Sequence, residues 1–216
     1  MIVSIFHNAK SMIYYLSVAC LLGLSAGLSP GPLLSLVLSE SLRHGAASGV
    51  RVACAPLISD APIILLSWCL VTYLAAFEPV LGAISIAGAV VVGLVAVSSF
   101  KYPSIETNPA KEASRSLLKG VAVNLFNPQP YLFWGTVGAP LLVGAAELSL
   151  GLAAAFLAIF YLLLVGLKII LALIIGYYRN RFNLRIYRII NSFLGVVLLA
   201  FAVGLFWNGL VFLGVQ

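Results

Sequence analysis

The stretch Leu28–Leu36, LSPGPLLSL, lies inside a long apolar run and carries two prolines one residue apart. Pro30 and Pro32 each lack a backbone N–H, and each ring clashes with the carbonyl four residues earlier. A proline costs a helix interior about 3 kcal/mol relative to alanine. The stretch is therefore read as a break in a helix that the flanking sequence otherwise demands.

The flanking sequence demands it because the chain is too apolar for water. Of 216 residues, 62% are hydrophobic and only 8% charged, with a mean hydropathy of +1.14. A soluble domain carries about 25% charged residues. Hydrocarbon leaves no water for unpaired backbone groups, so spans of about 20 helical residues are the expected unit. Six are read, at roughly 12–38, 48–74, 80–100, 118–142, 150–176 and 188–211. A membrane β-barrel would show alternating segments of about ten residues instead of these continuous runs. Lys10, an apolar run and Ser25-Ala26-Gly27 together resemble a cleavable signal, but apolar sequence continues directly past that point, so the segment is read as the first span. Cys20, Cys54 and Cys69 fall within spans in no metal-ligand or CxxC spacing and are read as small buried hydrophobes.

Ten of the twelve Lys and Arg lie in the odd-numbered connections: Arg43 and Arg51; Lys101, Lys111, Arg115 and Lys119; Arg179, Arg181, Arg185 and Arg188. The second and fourth connections carry only Glu78 and Glu147. Cytoplasmic loops collect Lys and Arg. The odd connections are thus expected in the cytoplasm with both termini outside, and the net charge of +6 is a topology signal rather than a nucleic-acid footprint. The basic loops suit anionic lipid headgroups.

The hydrophilic linker 101–117 divides the chain into residues 1–100 and 118–216, each with three spans. An odd number per half inserts the halves in opposite senses, the plan of an inverted repeat. Each half holds one break: Ser29-Pro30-Gly31-Pro32 late in the first span, and Asn127-Pro128-Gln129-Pro130 early in the fourth. As a single helix, residues 12–42 would extend about 46 Å against a hydrocarbon core of about 30 Å. A fourth span running only from Pro128 to Leu142 would be about 22 Å long, so Pro128 is placed inside a span. Pro30 and Pro32 release the carbonyls of Ala26 and Leu28; Pro128 and Pro130 release those of Asn124 and Phe126. The half-helix after each break is expected to offer free N–H groups and a positive dipole end. A carboxylate suits the N–H ends and an ammonium suits the carbonyls, and an amino acid has both.

Asp60, in LISDAPIIL, lies near the middle of the second span between Pro56 and Pro62. A carboxylate there costs roughly 2.5–3.5 kcal/mol on insertion scales. Such residues face a bundle interior and mark an ion or substrate path. Lys168 lies about 12 Å along its helix from Gly176, so a functional role, snorkelling and pairing with a loop acid remain open. Asn124, Asn127, Gln129 and Asn191 are buried-amide candidates, and Asn127 before Pro128 also suits a helix cap. Gly82, Gly88, Gly93 and the Gly45-xxx-Gly49 pair are read as helix-packing contacts.

SPGPLLSLVLSESLRHGAASG at 29–49, Asp60, NLFNPQPYLFW at 124–134 and IINSFLGVVLLAFAVGL at 189–205 resemble the lysine-exporter (LysE-type) translocator family, which includes homoserine/threonine exporters. Pro30, Gly31, Pro32, Asp60, Asn127 and Pro128 match its motif positions. The resemblance implies an inner-membrane exporter of amino acids or related small metabolites, driven by proton antiport. Leu33 and Ser59 stand where members often have Asn and Gly, Gln129 where many have Lys, and Pro130 and Lys168 are additional departures.

Other classes fit less well. Hydrolysis or group transfer needs a nucleophile with a base, or clustered metal ligands. His7 and His44 are the only histidines, and no HExxH is present. A thiol relay would need paired cysteines at the breaks. An accessory or structural membrane subunit would explain the apolarity but not an acid beside four matched prolines. The expectation is an all-α membrane protein of six spans as two inverted three-helix repeats, exporting by alternating access through Ser29, Pro30, Gly31, Pro32, Asp60, Asn124, Asn127, Pro128, Gln129 and Lys168. Its partners are a small-molecule substrate, protons, membrane lipid and, from small-residue faces, a second copy as a homodimer. No cofactor, metal or nucleic acid is expected.

Overall fold

A computed structural model describes residues 2–70, 74–100, 109–181 and 184–214. Residues 101–108, with Lys101 and Pro103, and the side chains of His7, Lys10, Cys69, Lys111, Arg185, Arg188 and Asn191 lie outside the described residues. Among the described residues there is no strand.

The breakers punctuate the helices as their chemistry requires. Helix α1 (Ile2–Leu28) stops before Ser29-Pro30, and α2 (Pro32–His44) starts at the second proline. Gly45, with φ of 94°, turns the chain into α3 (Ala46–Ala53), a left-handed conformation that favours glycine. Pro56 then opens α4 (Pro56–Leu70), and α5 (Leu74–Phe100) completes the first half. Helix α6 (Pro109–Leu125) ends three residues before Pro128, which opens α7 (Pro128–Phe133). A wide π turn, Trp134–Gly138, joins α7 to α8 (Ala139–Leu148). Pro140 lies just beyond this turn and has no N–H to return to the Thr136 carbonyl. Helices α9 (Leu150–Tyr178) and α10 (Leu184–Phe212) are uninterrupted.

Among the described residues, six segments are long and apolar enough to cross a membrane: Ser11–Leu28, Ala46–Ser67, Glu78–Val97, Pro128–Leu148, Leu150–Tyr178 and Ser192–Phe212. Both breaks are real, yet they lie at span edges rather than within spans. The fourth span runs on to Leu148, not Leu142, so its 21 residues from Pro128 reach about 30 Å and are long enough. Pro128 opens that span, which corrects the placement inside it. The remaining pieces, α2 and α6, fall outside the six segments and pack against each other.

Large apolar side chains cover the outside, with Leu65, Leu94, Leu162 and Val203 each about 70% exposed. Facing lipid, they lose nothing; facing water, such a surface would aggregate. Inside, α1 packs along α9, and α5 along α10. Gly23 and Gly27, four residues apart, let α1 approach the α9 backbone at Phe160 and Leu163. That close approach positions the site.

Candidate functional site

The two breaks and Asp60 share one cavity of about 220 Å³. Its wall includes Ser29, Gly31, Pro32, Asp60, Asn124, Asn127, Gln129 and Lys168. Ser29 and Gln129 are exposed at its mouth, while Asp60 and Lys168 are 5% and 4% exposed. Pro30 and Pro128 shape the breaks without lining the cavity.

The buried acid is held entirely by the second half of the chain. Asn124, in the last turn of α6, donates to Asp60 Oδ1 at 2.7 Å and to Ser59 Oγ at 2.7 Å. Ser59 passes its own hydrogen to the Ala55 carbonyl at 2.9 Å. From α9, the Tyr161 hydroxyl donates to Asp60 Oδ2 at 3.0 Å. The Trp134 side chain lines the same cavity. A buried carboxylate needs such donors, because an unpaired one is far more expensive. Tyr161 and Trp134 were not foreseen from sequence. Trp134 lies within NLFNPQPYLFW, the only hint; Tyr161 is one aromatic residue in a helix apolar all round, with nothing to single it out.

Lys168 neither snorkels nor pairs with a loop acid. Its Nζ donates to the carbonyls of Ala26 at 2.7 Å and Gly27 at 3.1 Å. Ala26 is the carbonyl that Pro30 releases, so the orphan acceptor at the end of α1 receives a protein ammonium. Lys168 and Asp60 feel each other's charge across the cavity but form no direct ion pair.

The two breaks differ in what they leave open. At the second, Pro128 and Pro130 have no N–H, and the Gln129 N–H donates to Asn127 Oδ1 at 3.1 Å. Of the two released carbonyls, that of Asn124 accepts from Asn127 N at 3.2 Å, and the neighbouring Leu125 O accepts from the Tyr131 hydroxyl at 3.0 Å. Phe126 O abuts Gly88 of α5. The expectation of free N–H groups at the start of α7 is therefore wrong, because Asn-Pro-Gln-Pro consumes its own donors. At the first break, Gly31 has no side chain to cap α2. The N–H groups of Leu33 and Leu34 begin that helix, and both residues line the cavity.

Away from the cavity, Glu40 of α2 is 2% exposed, with Lys119 Nζ at 2.7 Å from Oε1 and Ser116 Oγ at 2.6 Å from Oε2. This part-buried pair joins the piece after the first break to the piece before the second. The pair was not foreseen from sequence: Lys119 was read as a charge of the third connection, and Glu40 was not singled out.

Among the described residues no group of three His, Cys, Asp or Glu can hold a metal. The family model described as LysE type translocator matches residues 24–209. No curated protein matches the chain, and no solved structure does.

Proposed function

We propose that this chain, which belongs to the LysE type translocator family, exports an amino acid or related small metabolite across the inner membrane in exchange for protons. The carrying observation is the cavity at the two breaks, with a single buried acid on its wall. At about 220 Å³ it falls below the range of about 300–1,000 Å³ typical of drug-sized ligands, which suits one small metabolite.

The mechanism follows from competition at Asp60. With the mouth open to the cytoplasm, the Asp60 carboxylate holds the substrate ammonium, and Asn124 and Tyr161 keep the carboxylate in place. After the cavity opens outward, a proton takes the carboxylate and the substrate leaves. Protonated Asp60 then returns inward and loses its proton. Asp60 is tied to α6 and α9, so a change in its occupancy pulls on the second half of the chain. A membrane potential adds about 2.3 kcal/mol per charge per 100 mV to such a cycle.

The Lys and Arg of the odd-numbered connections support breaks on the cytoplasmic side and both termini outside. Three spans on either side of the linker support inverted repeats, although the breaks lie at opposite ends of their spans and so are not repeat-equivalent. Small-residue faces support a homodimer. An accessory subunit would not need a lined cavity around a buried acid.

Comparing amino-compound efflux from cells with and without the gene tests this reading. Faster efflux of at least one amino acid is expected, and its rate should fall when the pH gradient is collapsed. Identical efflux profiles across the amino acids would contradict the proposal.

A further inference from the structure

We infer that Lys168 receives the substrate carboxylate and sets the charge class of the cargo, an electrically neutral zwitterion with an apolar side chain, to the exclusion of basic amino acids. The inference rests on the transport reading above and adds to it a charge balance that only this wall supplies.

Among the lining residues, Asp60 is the sole acid and Lys168 the sole base. A zwitterion matches them one for one. An ammonium has three N–H donors. Two of Lys168's are committed to Ala26 and Gly27, which fixes the side chain and leaves the third for a ligand. The N–H groups of Leu33 and Leu34, lining the same cavity, favour the same anionic group.

The rest of the wall carries no charge and is apolar on one side. Phe133, Trp134, Phe160 and Leu164 offer surface for a hydrocarbon or aromatic side chain and no counter-charge. A second substrate ammonium would be best met by the carbonyls that end α1. Lys168 already occupies them. A basic side chain would therefore be buried without an acidic partner and beside a like charge, which is strongly unfavourable.

The test uses the purified full chain in liposomes and measures counterflow of labelled L-leucine. Unlabelled L-leucine, L-phenylalanine, L-lysine, L-glutamate and 2-phenylethylamine are the competitors. L-Phenylalanine is expected to compete at least about tenfold better than L-lysine and better than 2-phenylethylamine, which lacks the carboxylate. In Lys168→Met, with the α1 carbonyls vacated, that preference over the amine should disappear and L-lysine should gain; Lys168→Arg should retain the native order. L-Lysine competing as well as L-phenylalanine in the native protein would overturn the charge-class inference and leave transport standing. Absence of exchange with any of the amino acids would overturn both.

Discussion

Asn124 donates to Asp60 Oδ1 at 2.7 Å, so the last turn before one break is tied to the acid of a helix in the other half of the chain. Asn124 also supports Ser59, which makes it the hub of a buried polar chain. Asn124→Leu removes two donors and leaves a buried carboxylate with fewer partners. Such a loss costs about 1–3 kcal/mol. A lower melting temperature in detergent is expected, together with impaired transport. An unchanged melt would show that the bond to Asp60 is not stabilising.

Glu40 gives a pH prediction. Burial alone pushes its carboxyl up, but the Lys119 charge, the Lys119 and Ser116 hydrogen bonds and His44 outweigh burial and hold it below its usual value of 4.5. A carboxylate held low stabilises the fold above its ordinary range, and that contribution is lost on acidification. Lys119 is 32% exposed, so the pair is taken as worth about 2 kcal/mol, between exposed and fully buried pairs. Glu40→Gln should therefore melt below the native protein at pH 7, and the gap should close as pH falls below about 4.5. A gap that stays constant from pH 7 to pH 3 would contradict the assignment.

How much of this was legible in the sequence varies by residue. Prolines cannot donate wherever they occur, so both breaks were readable, and so was a charge inside an apolar run at Asp60. The carbonyl released by Pro30 and the ammonium of Lys168 were each visible, but their meeting depends on how α1 lies against α9. The spacing Gly23-xxx-Gly27 is the signal that foretells the close approach. Tyr161 was hidden because α9 has no polar face from which to infer its rotation. The length of the fourth span was misjudged because Val143–Leu148 is weakly apolar and was read as a connection.

Two glycines of α5 separate packing from mere spacing. A Cβ at Gly88 would overlap the Phe126 carbonyl at the second break, whereas one at Gly93 would meet only Ala202 Cβ at 3.9 Å. Gly88→Ala must displace backbone and should destabilise by about 1–3 kcal/mol. Gly93→Ala should be neutral or stabilising, since alanine is the better helix former by about 1 kcal/mol. Equal melting temperatures for the two variants would show that the carbonyl does not depend on the close approach.

Asn127 caps α7 through the Gln129 N–H, so Asn127→Ala should cost about 1 kcal/mol. Asn127→Asp or Asn127→Ser, which keep an acceptor, should recover most of the loss in the same melt. Failure of both to recover it would mean that Asn127 acts through the cavity and not through the cap.

The central claim is that Asp60 carries the proton-coupled step, and reconstituted Asp60→Asn protein tests it most directly. Under an imposed pH gradient in liposomes, the variant is expected to insert and fold like the native chain yet lose gradient-driven export. Export by Asp60→Asn at the native rate would contradict the account.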